Sequence, residues 1–167
     1  DASQNQTHEV FTSGTFSVTV TDLNGCTGDT TFSVTETASL TPVISGALEF
    51  CEGASTILDA GAGYASYVWS TGEISQSIVV TSEGNYGVVV TDSDGCGGST
   101  SITTTVHATP TVVIGGSTTY CIGGFTVLDA GTGYSTYTWN DNSTAQTLMV
   151  SAPGIYSVSI VDQFGCA

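Results

Sequence analysis

The chain has 167 residues, no lysine or arginine, fifteen aspartates and glutamates, and a formal net charge of −15 at neutral pH. That balance excludes nucleic-acid phosphate as a partner, since such binding rests on cationic side chains, and argues equally against an anionic membrane surface. With 40% hydrophobic residues, only 9% charged and a mean hydropathy of +0.22, the chain lacks the composition of a disordered segment, and its abundant β-branched residues and three prolines describe an all-β protein.

A frame of 70 residues runs along the chain without a gap, making Cys26, Cys96 and Cys166 equivalent, and likewise Cys51 and Cys121. Between Cys51–Cys96 and Cys121–Cys166 nineteen aligned positions are identical, among them Leu58/Leu128, Asp59/Asp129, Trp69/Trp139, Gln76/Gln146 and Tyr86/Tyr156. Such self-similarity is the signature of a repeat architecture. The frame predicts the second half of a module over residues 1–40, a complete module over 41–110, and a module lacking its last strand over 111–167. On this reading the chain is a window from a longer polymer. Its beginning inside a repeat leaves any leader segment outside view, and no run of eighteen or more apolar residues marks a membrane span.

In the first module, residues Gly14 to Cys26 carry the alternation of a strand followed by the turn Asp22-Leu23-Asn24-Gly25. Two positions depart from the later copies: His8 stands where Ile78 and Leu148 stand, and Glu36 where Val106 stands. In the complete module, short alternating runs separated by Gly, Asp, Asn and Ser predict strands at Thr41–Ile44, Ser55–Ala60, Ser66–Ser70, Gln76–Thr81, Asn85–Thr91 and Ser99–Val106. Period-two alternation turns Leu58, Tyr67, Trp69, Ile78, Val80, Tyr86, Val88, Val90 and Ile102 inward. The third module repeats this with Leu128, Tyr137, Trp139, Leu148, Val150, Tyr156, Val158 and Ile160. The turns Asp92-Ser93-Asp94-Gly95 and Asp162-Gln163-Phe164-Gly165 close the last hairpins, and Ser39–Pro42 and Thr109–Val112 are short linkers.

Each full frame holds one cysteine before the second strand and one in the last hairpin. A six-strand meander brings both to the same end, which predicts bridges Cys51–Cys96 and Cys121–Cys166 and an upstream partner for Cys26. Modules of about 70 residues sit near the size at which a core alone suffices, so covalent help is expected. A metal site is the weaker reading, because no Cys-x-x-Cys or Cys-x-x-His spacing occurs and His8 and His107 are not equivalent in the frame. Disulfides point to an oxidising, extracellular compartment.

The stretches Leu58 to Trp69 and Leu128 to Trp139 (Leu-Asp-Ala-Gly-x-Gly-Tyr-x-x-Tyr-x-Trp) and Gly-x-Tyr to Gly-Cys at 84–96 and 154–166 resemble a known family. It is the polycystic-kidney-disease-type, immunoglobulin-like repeat of giant surface proteins in Bacteroidota, associated with adhesion, gliding and type IX secretion. Gly14 to Cys26 carries the same pattern with Phe16 for Tyr, and Asn140-Asp141-Asn142 replaces Ser70-Thr71-Gly72 in the central hairpin of the third module. The resemblance implies tandem immunoglobulin-like β-sandwiches used as spacer, adhesive or filament unit, with no catalytic residues.

Candidate chemistry is sparse. No nucleophile with a base, carboxylate pair or metal set recurs with the module, and the recurring Asp59 and Asp129 precede Ala-Gly as turn formers. Calcium at Asp92 with Asp94 would relieve acidic self-repulsion, but Asp162-Gln163-Phe164 lacks the second carboxylate and a plain turn is the favoured reading, so no cofactor is expected. Asn5 and Asn142 fit the N-linked acceptor pattern, and Thr30, in Asp29-Thr30-Thr31, resembles the O-glycan acceptor of Bacteroidota, so covalent glycans are candidate additions. The expectation is therefore a non-enzymatic extracellular filament or stalk at a bacterial surface. Its partners would be copies of itself or neighbouring modules, and Trp69, Trp139, Tyr86 and Tyr156 would hold each core. The alternative is a carbohydrate-binding accessory module of a secreted hydrolase.

Overall fold

The computed structural model describes residues 6–167. All its named elements are strands: β1 (Gly14–Thr21), β2 (Thr27–Val34), β3 (Glu49–Cys51), β4 (Thr56–Asp59), β5 (Ser66–Trp69), β6 (Ser77–Val80), β7 (Gly84–Thr91), β8 (Gly97–His107), β9 (Thr126–Asp129), β10 (Thr136–Trp139), β11 (Thr147–Val150) and β12 (Val158–Val161). The chain is thus all-β, assembled from several small sheets in the manner of a β-sandwich.

In the stretch 41–110 a four-stranded sheet in the order β3-β8-β7-β5 lies over the two-stranded β4-β6 sheet. The alternation that builds both sheets is visible residue by residue: Val88 and Val90 are buried, whereas Val89 between them is half exposed. The first sheet contributes Trp69, Val88 and Val90 to the core and the second Leu58, Ile78 and Val80; Tyr67, Tyr86 and Ile102 pack at the margin. Each buried indole also satisfies its polar atom, Trp69 Nε1 donating to the Ser75 carbonyl at 2.8 Å and Trp139 Nε1 to that of Ala145 at 2.9 Å.

Two features depart from the expected strand list. Thr41–Ile44 is not a strand; Pro42 has no N–H to give a ladder, and only the neighbouring Ser45 forms an isolated bridge to Asp59. Ile44 is nevertheless buried in the core. In its place the three-residue β3, too short to announce itself by alternation, pairs in parallel with the far end of β8, Cys51 opposite His107. Nor is 39–42 a bare linker, since Ser39 Oγ donates to the Gly97 carbonyl at 3.2 Å and Leu40 packs on the core.

Residues 111–167 form two two-stranded sheets, β11-β9 and β10-β12, around Ala130, Trp139, Leu148 and Val150. The hairpin at Asn140-Asp141-Asn142 keeps the backbone bond of its counterpart, Asn142 N donating to the Trp139 carbonyl as Gly72 N does to that of Trp69, both at 2.9 Å, and adds side-chain bonds of its own, Asp141 Oδ1 accepting from Ser143 N and Oγ. Asn142 adopts φ 71° there, a conformation asparagine tolerates better than most residues. At the other end β1 and β2 pair as an isolated hairpin with Phe16 stacked on Phe32 at 5.8 Å. Val18 and Val20 are 47% and 65% exposed, against 1% and 0% for Val88 and Val90 at the same frame positions; among the described residues β1 and β2 form a sheet of their own with no further strand paired to it.

Candidate functional site

The place where separate parts of the chain meet around chemistry-bearing side chains is the lower end of β8. β8 runs eleven residues from Gly97 to His107. At about 3.3 Å per residue, Cys96 and the Cys51 opposite His107 are separated by about 35 Å. A disulfide needs Cα atoms within about 7 Å. The expected Cys51–Cys96 bridge is therefore geometrically excluded, and with it the assumption that both cysteines share one pole of the sandwich. The parallel pairing of β3 with β8, which no alternation pattern encodes, carries Cys51 to the opposite end.

Cys51 is instead bonded to Cys166, with an S–S distance of 2.02 Å and a Cα–Cα distance of 5.5 Å across 115 residues of sequence. The pairing Cys121–Cys166 is excluded in consequence, and Cys26, Cys96 and Cys121 carry free thiols. Cys166 reaches the junction on a turn held by one carboxylate. Asp162 Oδ1 accepts from the backbone N–H groups of Phe164 at 2.8 Å and Cys166 at 2.9 Å, and Gly165 supplies φ +85°. This presents Phe164, whose ring stacks on His107 with centroids 3.6 Å apart and planes inclined by 11°. The far nitrogen of His107, Nε2, lies 2.9 Å from Glu49 Oε2 on β3. Bridge, stacked pair and polar contact together fasten the last hairpin of 111–167 to the base of the 41–110 sheet.

The same carboxylate-centred turn recurs at Asp22 and Asp92, each accepting two backbone N–H groups through Oδ1. Asp92 is engaged by Asp94 N at 2.9 Å and Cys96 N at 2.8 Å, which is turn chemistry, and among the described residues no three His, Cys, Asp or Glu side chains cluster as metal ligands do. Asp59 and Asp129 have a similar local role. Gln76 Nε2 donates to Asp59 and Gln146 Nε2 to Asp129, with Gly61 N and Gly131 N as further donors. These bonds, the glutamine's foremost, hold both carboxyls below their ordinary range.

Of the glycan acceptors, Asn142 is exposed at its turn and Thr30 is exposed on β2, while Asn5 lies outside the described residues. Tyr86 and Tyr156 donate to the Ser82 and Ala152 carbonyls, both at 2.9 Å, tying the start of β7 and the stretch before β12 to the residues four earlier. A cavity of about 300 Å³ opens in 111–167 between Ile114, Tyr120, Leu128, Val150 and Tyr156. One frame earlier the Ser82 carbonyl, counterpart of Ala152 on the cavity wall, accepts from Thr104 Oγ1 of β8. No repeated letter marks His107 or Phe164, since the frame places Thr37 and Asp94 at their positions.

No protein-family model matches the chain, and no curated protein matches it. No helix of the described residues is long and apolar enough to cross a membrane.

Proposed function

We propose that this chain is a stretch of an extracellular structural array: tandem immunoglobulin-like modules of 70-residue period, building a filament or stalk at a bacterial surface, with a spacing or adhesive role and no catalysis. The observation that carries this reading is the Cys51–Cys166 bridge with its His107–Phe164 stack. A covalent tie between the base of one sheet and the last hairpin of the following segment resists separation of the two, which suits a load-bearing strand and has no evident use in a monomeric catalyst. A disulfide also fits an oxidising compartment outside the cytosol. The lack of lysine and arginine removes every tryptic site, an advantage for a surface exposed to proteases. The resemblance of the Leu-to-Trp and Gly-to-Cys stretches to Bacteroidota surface repeats supports the same reading. Trp69 and Trp139 are 2% and 1% exposed, so neither offers a face on which a sugar ring stacks, which counts against the carbohydrate-binding alternative.

Electron microscopy of material shed from the cell surface tests the proposal. The expected image is a thin fibre with an axial repeat of about 35–40 Å, one sandwich length. Discrete globular particles of the mass of a single chain would refute it.

A further inference from the structure

One sequence separation sets the bonded cysteines apart from the three free ones. A bridge joins residues 115 apart, Cys51 and Cys166, and no other pair of cysteines in the chain has that separation. Counting 115 residues onward from Cys121, or back from Cys96 and from Cys26, leads outside residues 1–167, and those three are the free thiols. Cys121 is the frame equivalent of Cys51, on the stretch entering the sheet, and Cys26 and Cys96 are the equivalents of Cys166, each at the end of an Asp-x-x-Gly-Cys turn. The turns themselves are alike down to their hydrogen bonds: Asp22, Asp92 and Asp162 all hold the cysteine N–H through Oδ1, at 2.8, 2.8 and 2.9 Å. Cys121 and Cys26 are exposed and Cys96 partly so, hence open to a partner.

From this we infer a disulfide ladder between modules: each entering cysteine of the Cys51 type is bonded to the hairpin cysteine of the module that follows, so that Cys121 takes the cysteine of a further Asp-x-x-Gly-Cys turn and Cys96 and Cys26 take entering cysteines of preceding modules. This rests on the array reading and adds to it a covalent link at every joint, where within-module bridges would leave the joints unlinked. In each closure the two thiols lose their S–H hydrogens as protons, one S–S bond forms, and the two electrons reduce the disulfide of a thiol–disulfide oxidoreductase to a dithiol through a mixed-disulfide intermediate. The His107–Phe164 stack is an addition peculiar to the bridged joint, since Thr37 and Asp94 stand in its place one frame earlier.

Non-reducing peptide mapping of the native material decides the matter. Free thiols are first blocked by alkylation, and digestion uses pepsin with an aspartate- or glutamate-directed protease, trypsin having no site. The expected result is a Cys51 peptide joined to the Cys166 peptide, and a Cys121 peptide joined to an Asp-x-x-Gly-Cys peptide, each pair two hydrogens lighter than its separate parts, with no alkylated Cys96 or Cys121. Joined Cys51–Cys96 or Cys121–Cys166 peptides, or alkylated Cys121 and Cys96, would overturn the ladder while leaving the array reading intact. A polymer absent from the microscope while Cys51–Cys166 persists would instead strike at the array. After reduction, chains of 16.9 kDa show that the ladder joins separate copies, and much longer chains that it runs along one polypeptide; either supports it.

Discussion

Each of the two cores is built round a single tryptophan, and the chain has two in all, so each core can be perturbed while the other reports. Trp69 is 2% exposed, and truncating a buried Trp to Ala costs about 4 kcal/mol through lost burial and the cavity left behind. The Ser75 carbonyl that accepts its indole N–H also loses a partner, a further cost of about 1 kcal/mol. A unit of some 70 residues has a total stability of about 4–10 kcal/mol. Trp69→Ala therefore removes about half or more of the stability of 41–110, and Trp139→Ala unfolds the smaller core of 111–167 outright. Trp69→Phe keeps most of the bulk and loses the donor, for about 2 kcal/mol. Urea denaturation followed by circular dichroism measures the change, and the fluorescence of the remaining tryptophan reports the other core. A Trp69→Ala transition within about 0.5 kcal/mol of the parent, the range of an innocuous surface change, would refute the placement of this indole between the sheets.

Four further outcomes follow from named contacts. Gly46→Ala destabilises by about 2 kcal/mol or more, because a Cβ there would collide with the Ile57 carbonyl, whereas Gly53→Ala meets open space and bears only the left-handed backbone cost of about 1 kcal/mol; paired urea curves separate the two. Asn142→Gly, at φ 71°, raises the melting midpoint of 111–167 by the equivalent of about 0.5–1 kcal/mol. Asp59 and Asp129 have folded-state pKa values below the ordinary one, so their contribution is complete above about pH 4 and is lost as pH falls through the lowered values; the Asp59→Asn, Asp129→Asn double variant should show a shallower acid limb in a stability-versus-pH series. Cys51→Ser opens the loop of 115 residues and costs about 5 kcal/mol in the chain-entropy model, while in residues 1–167 on their own, where Cys96 is a free thiol, Cys96→Ser changes the unfolding free energy by less than about 0.5 kcal/mol.

Local pattern carried a large part of the architecture. Alternation alone located β4 to β8 and their inward faces, since the side-chain period of a strand is a property of the backbone and is written wherever one face meets a core. The 70-residue frame located β9, β10 and β11, which begin 70 residues after β4, β5 and β6. Asp-x-x-Gly announced its turns because one carboxylate and one glycine suffice to make them. What the letters withheld was the direction in which strands lie beside one another. β3 is three residues long, and whether it runs with or against β8 depends on a surface that exists only once β7, β8 and β5 have come together. That one choice puts Cys51 beside His107 instead of beside Cys96, and the disulfide joins 41–110 to 111–167 instead of closing within either stretch, with Phe164 stacked on His107. Periodicity specifies which residues face inward; only the packed sheet decides which ends of it meet, because end-to-end proximity is a sum over every strand direction along the chain.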